Sequence, residues 1–191
     1  VAQKPRALVS RADTIEGIGE DSFYKINKDL SGFYRTNYPA SRLEKLAQSL
    51  DSLSTEDKIG LIGDAAALAV SGEGSTAALL SLLEGFKDEK NYLWVSRASP
   101  AYICIPYSRI CRVWSQISSS VGNLRSVFSQ NETVAQGLKN FARALSSPAA
   151  DKVGWEFKPD EDYLTVQLRK LLISMSGLAG NERCGISAFD I

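Results

Sequence analysis

The residues of this 191-residue chain that could do chemistry are three cysteines, an acid inside an apolar run, an acidic cluster and a glycine pair. Cys104 and Cys111 have six residues between them, and Cys184 lies far downstream. A zinc site takes about four ligands, usually Cys or His at short paired spacings. The chain meets neither condition, since it contains no histidine. That absence also removes a Ser-His-Asp or Cys-His hydrolase, and any imidazole proton shuttle, from what the chain itself carries. The cysteines read as incidental thiols, reduced if the chain works inside a cell.

The other constellations have structural explanations that suffice. "SGEGS" (71–75) places two glycines before a helix start, where an anion can sit. It lacks the lysine and the preceding strand of a phosphate loop, so it reads as a helix-helix turn. The acids of "PDEDY" (159–163) complement the dipole of a first helical turn. "EGFKDEKNY" (84–92) has the mixed charge of a solvated helix end. Asp64 interrupts the apolar text "IGLIGDAAALA", and is expected as a buried partner for an arginine or as a helix cap. The sequence therefore assigns no catalytic, cofactor-binding or metal-ligating residue, and leaves any ligand-contacting residues unknown.

Composition narrows the class. Lys+Arg and Asp+Glu both number 22, so there is no basic excess for a phosphate backbone and nucleic acid is not expected as a partner. No apolar run approaches the roughly 20 residues that span a bilayer. The chain begins at Val1 with no apolar leader in "VAQKPRALVS", which reads as a fragment of a cytoplasmic protein whose beginning lies elsewhere.

The elements follow from periodicity. "FYKIN" (23–27) and "FYRTN" (33–37) are β-prone runs around the turn residues Asp29, Ser31 and Gly32, which predicts a short hairpin over 23–37. After Pro39 the period becomes helical. Ser41 is the expected cap of a helix with Leu43, Leu46, Ala47 and Leu50 inward. Ser54 and Asp57 resemble a capping box ahead of "TEDKIGLIGDAAALAVS", which stops at Gly72. Ser75 precedes a helix apolar on Ala78, Leu79, Leu82, Leu83 and Phe86. Trp114, Ile117, Val121, Leu124, Val127 and Phe128 make another stripe. Val134, Leu138, Phe141, Ala142 and Leu145 make the next, ending at Pro148. Pro159 and Asp160 start a last helix with Leu164, Leu168, Leu171, Leu172 and Met175 inward. Leu61, Leu82, Phe141 and Leu168 are the expected core. Six helices with short connectors predict a mainly α fold of antiparallel pairs, either a HEAT-like α-solenoid or a compact bundle.

"DLSGFYRTNYPASRLEKLAQSL" and "LSTEDKIGLIGDAAALAVSGE" resemble the C-terminal part of zinc aminopeptidases of the puromycin-sensitive and endoplasmic-reticulum type, especially fungal alanine/arginine aminopeptidases. In that family a phrase like "GFYRVNY" closes a small β-sandwich domain, and one like "DRAGLIDDAFSLA" follows in a large helical domain. "WSQISSSVGNLRSVF" (114–128) and "GWEFKPDEDYLTVQLRKLLISMSG" (154–177) are also similar to the family, as is the lead-in "DTIEGIGEDSFYKINKD" (13–29). The resemblance implies that residues 1–38 end a β-sandwich domain and that 39–183 are the helical domain. It also implies that the zinc motif HExxH and the exopeptidase motif lie in an upstream catalytic domain of the same polypeptide. The chain would then be a non-catalytic part that caps the zinc site and helps bind peptide substrates. The cofactor would be none in this chain and zinc in the parent. The alternatives are a helical-repeat module that binds protein or peptide without chemistry, and a gene product with no function.

The resemblance breaks at "LWVSRASPAYICIPYSRICRV" (93–113), where the family would run "FKDEKNYL" almost directly into "VWSQI". Val95-Ser96 is what a splice-donor sequence such as GTGAGT encodes. All three cysteines lie in this stretch or in the tail "RCGISAFDI", where the resemblance stops. Residues 94–112 read as a translated intron, against the competing reading of a lineage-specific loop, and 184–191 as an aberrant tail. Pro100 and Pro106 are expected to forbid a continuous helix through the insert.

Overall fold

The computed structural model describes residues 23–88, 104–159 and 161–181. Its regular structure is helical: α1 (Ala40–Ala47), α2 (Thr55–Ser71), α3 (Thr76–Glu84), α4 (Cys104–Val127), α5 (Glu132–Val153) and α6 (Tyr163–Leu178). Single 3-10 turns occupy Lys28–Leu30, Leu50–Ser52 and Gly85–Asp88. No strand occurs among the described residues.

Side-chain caps set most helix starts. Ser54 accepts the Asp57 amide at 3.1 Å, and Ser75 accepts the Ala78 amide at 3.3 Å, both as the sequence predicts. Asn131 opens α5 through the Val134 amide at 3.1 Å, and Asp162 opens α6 through the Thr165 amide at 3.1 Å. Each such cap contributes about 1 kcal/mol. Gly72 ends α2 at φ 80, a left-handed turn that glycine adopts without a Cβ clash. The Gly74 amide then closes on the Leu68 carbonyl at 2.8 Å, so "SGEGS" is a helix-helix turn.

Several boundaries differ from the sequence reading. Ser41 lies inside α1, and Pro39 stands at the cap position without a side-chain bond. Its carbonyl accepts the amides of Arg42 and Leu43 at 2.9 and 3.1 Å, which the cyclic side chain does not impede. Pro148 does not end α5, which continues to Val153. The turn after Pro148 carries Ala149 and Ala150, each 1% exposed, and their burial offsets the amide that proline lacks. α6 begins at Tyr163, so the acids of 159–163 precede the first turn instead of occupying it. Pro106 falls in the first turn of α4, where a missing N–H forfeits no intrahelical bond. Residues 104–112 are therefore helical and continuous with α4, while 94–103 lie outside the described residues.

The hairpin over 23–37 is also absent. Asn27, Asp29 and Leu30 all have left-handed φ angles, of 57, 56 and 55, which no strand pairing accommodates. A two-stranded hairpin is marginal in water, and side-chain bonds to the helices hold this segment in another form.

α1 packs on α3, α2 on α4 and α4 on α6, while α2 also meets α3 and α5 meets both α4 and α6. One core joins them, with Leu46, Leu61, Ile62, Leu82, Trp114, Ile117, Leu168 and Leu172 fully buried. Phe141 is only partly buried, because Leu138, Ala142 and Leu145 take the inward line of α5. Val127 and Val134 flank the α4–α5 turn and are exposed.

Candidate functional site

α2 carries three acids, and two of them, Asp57 and Asp64, act on the segment that precedes α1. The Asp57 carboxylate accepts the Lys25 ammonium at 2.6 Å and the Asp29 amide at 2.7 Å. The Ser54 hydroxyl donates to the Asp29 carboxylate at 2.7 Å while capping α2. Two turns further on, Asp64 accepts the Thr36 amide at 3.0 Å and the Thr36 hydroxyl at 2.8 Å. Its partner is thus Thr36, neither an arginine nor its own helix end. The Tyr38 hydroxyl accepts the Ile26 amide at 2.7 Å, and burial raises its pKa above the ordinary 10.0. Arg42 lies over the Tyr24 ring at 4.1 Å.

The acids of "PDEDY" that can be placed are structural as well. Asp162 caps α6, and Glu161 pairs with Arg169. Arg169 is 1% exposed and donates to the Gly154 and Val153 carbonyls at 2.8 and 2.9 Å. Burial lowers its pKa from the ordinary arginine value, and the Glu161 carboxylate beside it favours the cation. Sequence reasoning missed this residue. Its one local signal was an acid eight residues earlier in a helix-start text.

Two open clefts lie on the surface of the described residues. One, of about 370 Å³, lies between α2 and α4. The small residues Gly63, Ala66 and Ala67 leave room on the α2 side, Gln116 and Asn123 add amides from α4, and Arg35 adds a cation. The other, of about 390 Å³, sits at the α4–α5 turn with Arg125, Lys139 and the serines 126 and 129. Both can bind acidic or amide-bearing groups. Neither is lined by an acid that could act as a general base.

No group of three or more His, Cys, Asp or Glu that could hold a metal ion occurs among the described residues. With no histidine in the sequence, these residues do not fit a zinc centre. The side chains of Cys104, Cys111 and Cys184, and residues 89–92 of the mixed-charge segment, lie outside the description. Among the described residues no helix is long and apolar enough to cross a membrane.

Comparison with known proteins gives this scaffold its kinship. The profile of the ERAP1-like C-terminal domain matches residues 23–101 and 108–190. Aminopeptidase 2 of Candida albicans is 33% identical over 175 residues, covering 90% of this chain and 17% of that protein. The alanine/arginine aminopeptidase of Saccharomyces cerevisiae is 30% identical over 177 residues, covering 92% of this chain and 18% of that protein. Aminopeptidase M1 of Arabidopsis thaliana is 28% identical over 166 residues, covering 86% and 17%. The chain thus spans about a sixth of the length of the relatives it matches, all three of them aminopeptidases by name. With the profile matching both halves of its helical array, the chain belongs to the ERAP1-like C-terminal domain family.

Proposed function

We propose that this chain is the non-catalytic helical domain of a cytoplasmic, zinc-dependent aminopeptidase. It caps the active site of a catalytic domain in the same polypeptide and helps to hold peptides while their N-terminal residues are removed. The observation that carries this is the family match across both halves of the chain, together with aminopeptidase relatives that are about six times longer. Residues 1–38 then close a preceding domain, 39–183 form the helical domain, and 94–112 and 184–191 are foreign to it.

The helix contacts favour a solenoid over a bundle. α1 stacks on α3, and α2 on α4 on α6, so alternate helices form rows, as in an array of helical hairpins. Such an array presents a concave face. The clefts holding Arg35 and the Arg125–Lys139 pair supply cations for the C-terminal carboxylate of a peptide. Zinc and its ligands belong to the remainder of the parent. When bound there, zinc would polarise the scissile carbonyl and activate water.

Three tests bear on this reading. The purified 191-residue chain with added zinc should not turn over aminoacyl-coumarin substrates, and chelator-sensitive turnover would refute the non-catalytic assignment. The genomic sequence should carry an in-frame HExxH roughly 200 residues or more before Val1. A full-length parent deleted for this whole region should lose activity on peptides. Normal activity in that deletion would remove the accessory role.

A further inference from the structure

Asp57 and Asp64 stand two turns apart on α2, so their carboxylates share one face. Both are committed to residues 23–38, at opposite ends of that segment. The Lys25–Asp57 pair is 2.6 Å long with side chains 6% and 7% exposed, whereas most ion pairs of this size sit in water. The segment it holds is strained. Asn27, Asp29 and Leu30 are all left-handed without being glycine, and each such residue costs free energy.

Each strained residue is restrained by a side chain, Asn27 from within the segment and Asp29 and Leu30 from α2 and its cap. The Asn27 side chain donates to the Gly32 and Tyr34 carbonyls and accepts the Gly32 amide at 2.7 Å. Asp29 is held by Asp57 through its amide and by Ser54 through its carboxylate. Leu30 sits over Gly60, where a Cβ would come within 2.2 Å of its Cδ2 atom. Backbone bonds within the segment are few: Leu30 to Asn27 and Ser31 to Lys28. Its conformation therefore depends on side chains, those of Asn27 and Tyr38 within it and those of Asp57 and Asp64 on α2, and not on a backbone ladder of its own.

We infer that residues 23–38 form a strained latch held shut by α2. The latch opens as one piece while the helices stay folded. Asp57 is its principal positioning residue, Asp64 the second post and Gly60 the seat. The inference does not depend on the aminopeptidase reading, because its test uses the 191-residue chain alone.

The test combines native-state hydrogen exchange with limited trypsin digestion of that chain. In the unsubstituted protein the Asp29 and Thr36 amides should be protected, and cleavage after the buried Lys25 should be slow. Asp57→Asn should speed exchange of the Asp29 amide and cleavage after Lys25 by at least about tenfold, with helical circular dichroism unchanged. Gly60→Ala should act in the same direction but more weakly, because the Leu30 side chain it meets is flexible and exposed, and alanine favours a helix more than glycine does. Asp64→Asn should release the Thr36 amide. Unchanged protection in both Asp57→Asn and Gly60→Ala would overturn the latch. So would loss of helical signal in step with cleavage, since the segment would then be part of the global fold. An Asp29 amide already unprotected in the parent chain would overturn it as well.

Discussion

Ser146 of α5 and Ser176 of α6 meet hydroxyl to hydroxyl at 2.7 Å, and neither is exposed to solvent. The Ser146 hydroxyl also donates to the Ala142 carbonyl at 2.8 Å. Its hydrogen is thereby used, so Ser176 must be the donor of the pair. Small side chains let the two helices approach here, and the bond satisfies both hydroxyls in an otherwise apolar seam.

This direction makes the two serines unequal. Ser176→Ala removes a donor and leaves Ser146 bonded to Ala142, so the expected loss is about 1 kcal/mol. Ser146→Ala strands the Ser176 hydroxyl in the core, with an expected loss nearer 2 kcal/mol. The double alanine variant should lose less than the two single changes added together. Urea unfolding of the three variants decides the matter. Equal single losses that add would mean the hydroxyls are not coupled.

Arg169 should be among the most sensitive positions of the chain. Arg169→Met leaves Glu161 and the Val153 and Gly154 carbonyls without their donor, at an expected cost of about 3–5 kcal/mol. Arg169→Lys keeps the charge but not the planar fork, nor its place near the Phe157 ring, and should fall between. Glu161→Gln removes the charge but keeps an acceptor and should cost less than Arg169→Met. Chemical denaturation gives the order. A loss below about 1 kcal/mol for Arg169→Met would show that the α5–α6 connection does not rely on this clasp.

The raised pKa of Tyr38 predicts an alkaline dependence with a definite sign. Burial favours the neutral phenol in the folded chain, so the folded pKa exceeds the unfolded value of 10.0. The stabilisation is fully present below pH 10 and is lost as pH rises through the folded pKa. Tyr38→Phe also removes the acceptor of the Ile26 amide, at about 1 kcal/mol near neutrality. The difference in stability between wild type and Tyr38→Phe should therefore be largest below pH 10 and shrink above it. A gap that stays constant through the alkaline range would contradict the buried neutral phenol.

What the sequence disclosed and what it hid divide by the range of the interactions. The stripe of α3 and the caps Ser54 and Ser75 are local patterns, and they stand where periodicity and capping chemistry put them. The lead segment misled because Phe23, Tyr24, Phe33 and Tyr34 have strand propensity, while the bonds that decide its shape come from Asp57 and Asp64, 28 residues from their backbone partners. Pro148 looked like a stop because the burial of Ala149 and Ala150 cannot be read from a neighbouring residue. Arg169 stands out by little in the sequence, as a single arginine within a helix. Its role emerges only when the end of α5 and the start of α6 are brought together, which is a tertiary fact.

The stretch 94–112 can be judged by removing it. Val113, 6% exposed, and Trp114, 1% exposed, are buried on α4, while Arg112 before them is exposed. The family match includes 94–101 and 108–112 of this stretch and skips only 102–107, so the match by itself does not mark the whole stretch as foreign. Joining Leu93 to Val113 would keep Trp114, Ile117, Val121 and Leu124 in the core and shorten α4 only at its start. Deleting 94–112 is therefore expected to leave stability unchanged or improved, as measured by urea unfolding of the full chain and the deletion side by side. A loss above about 2 kcal/mol, the scale of a core truncation, would make the stretch native structure and the translated-intron reading wrong.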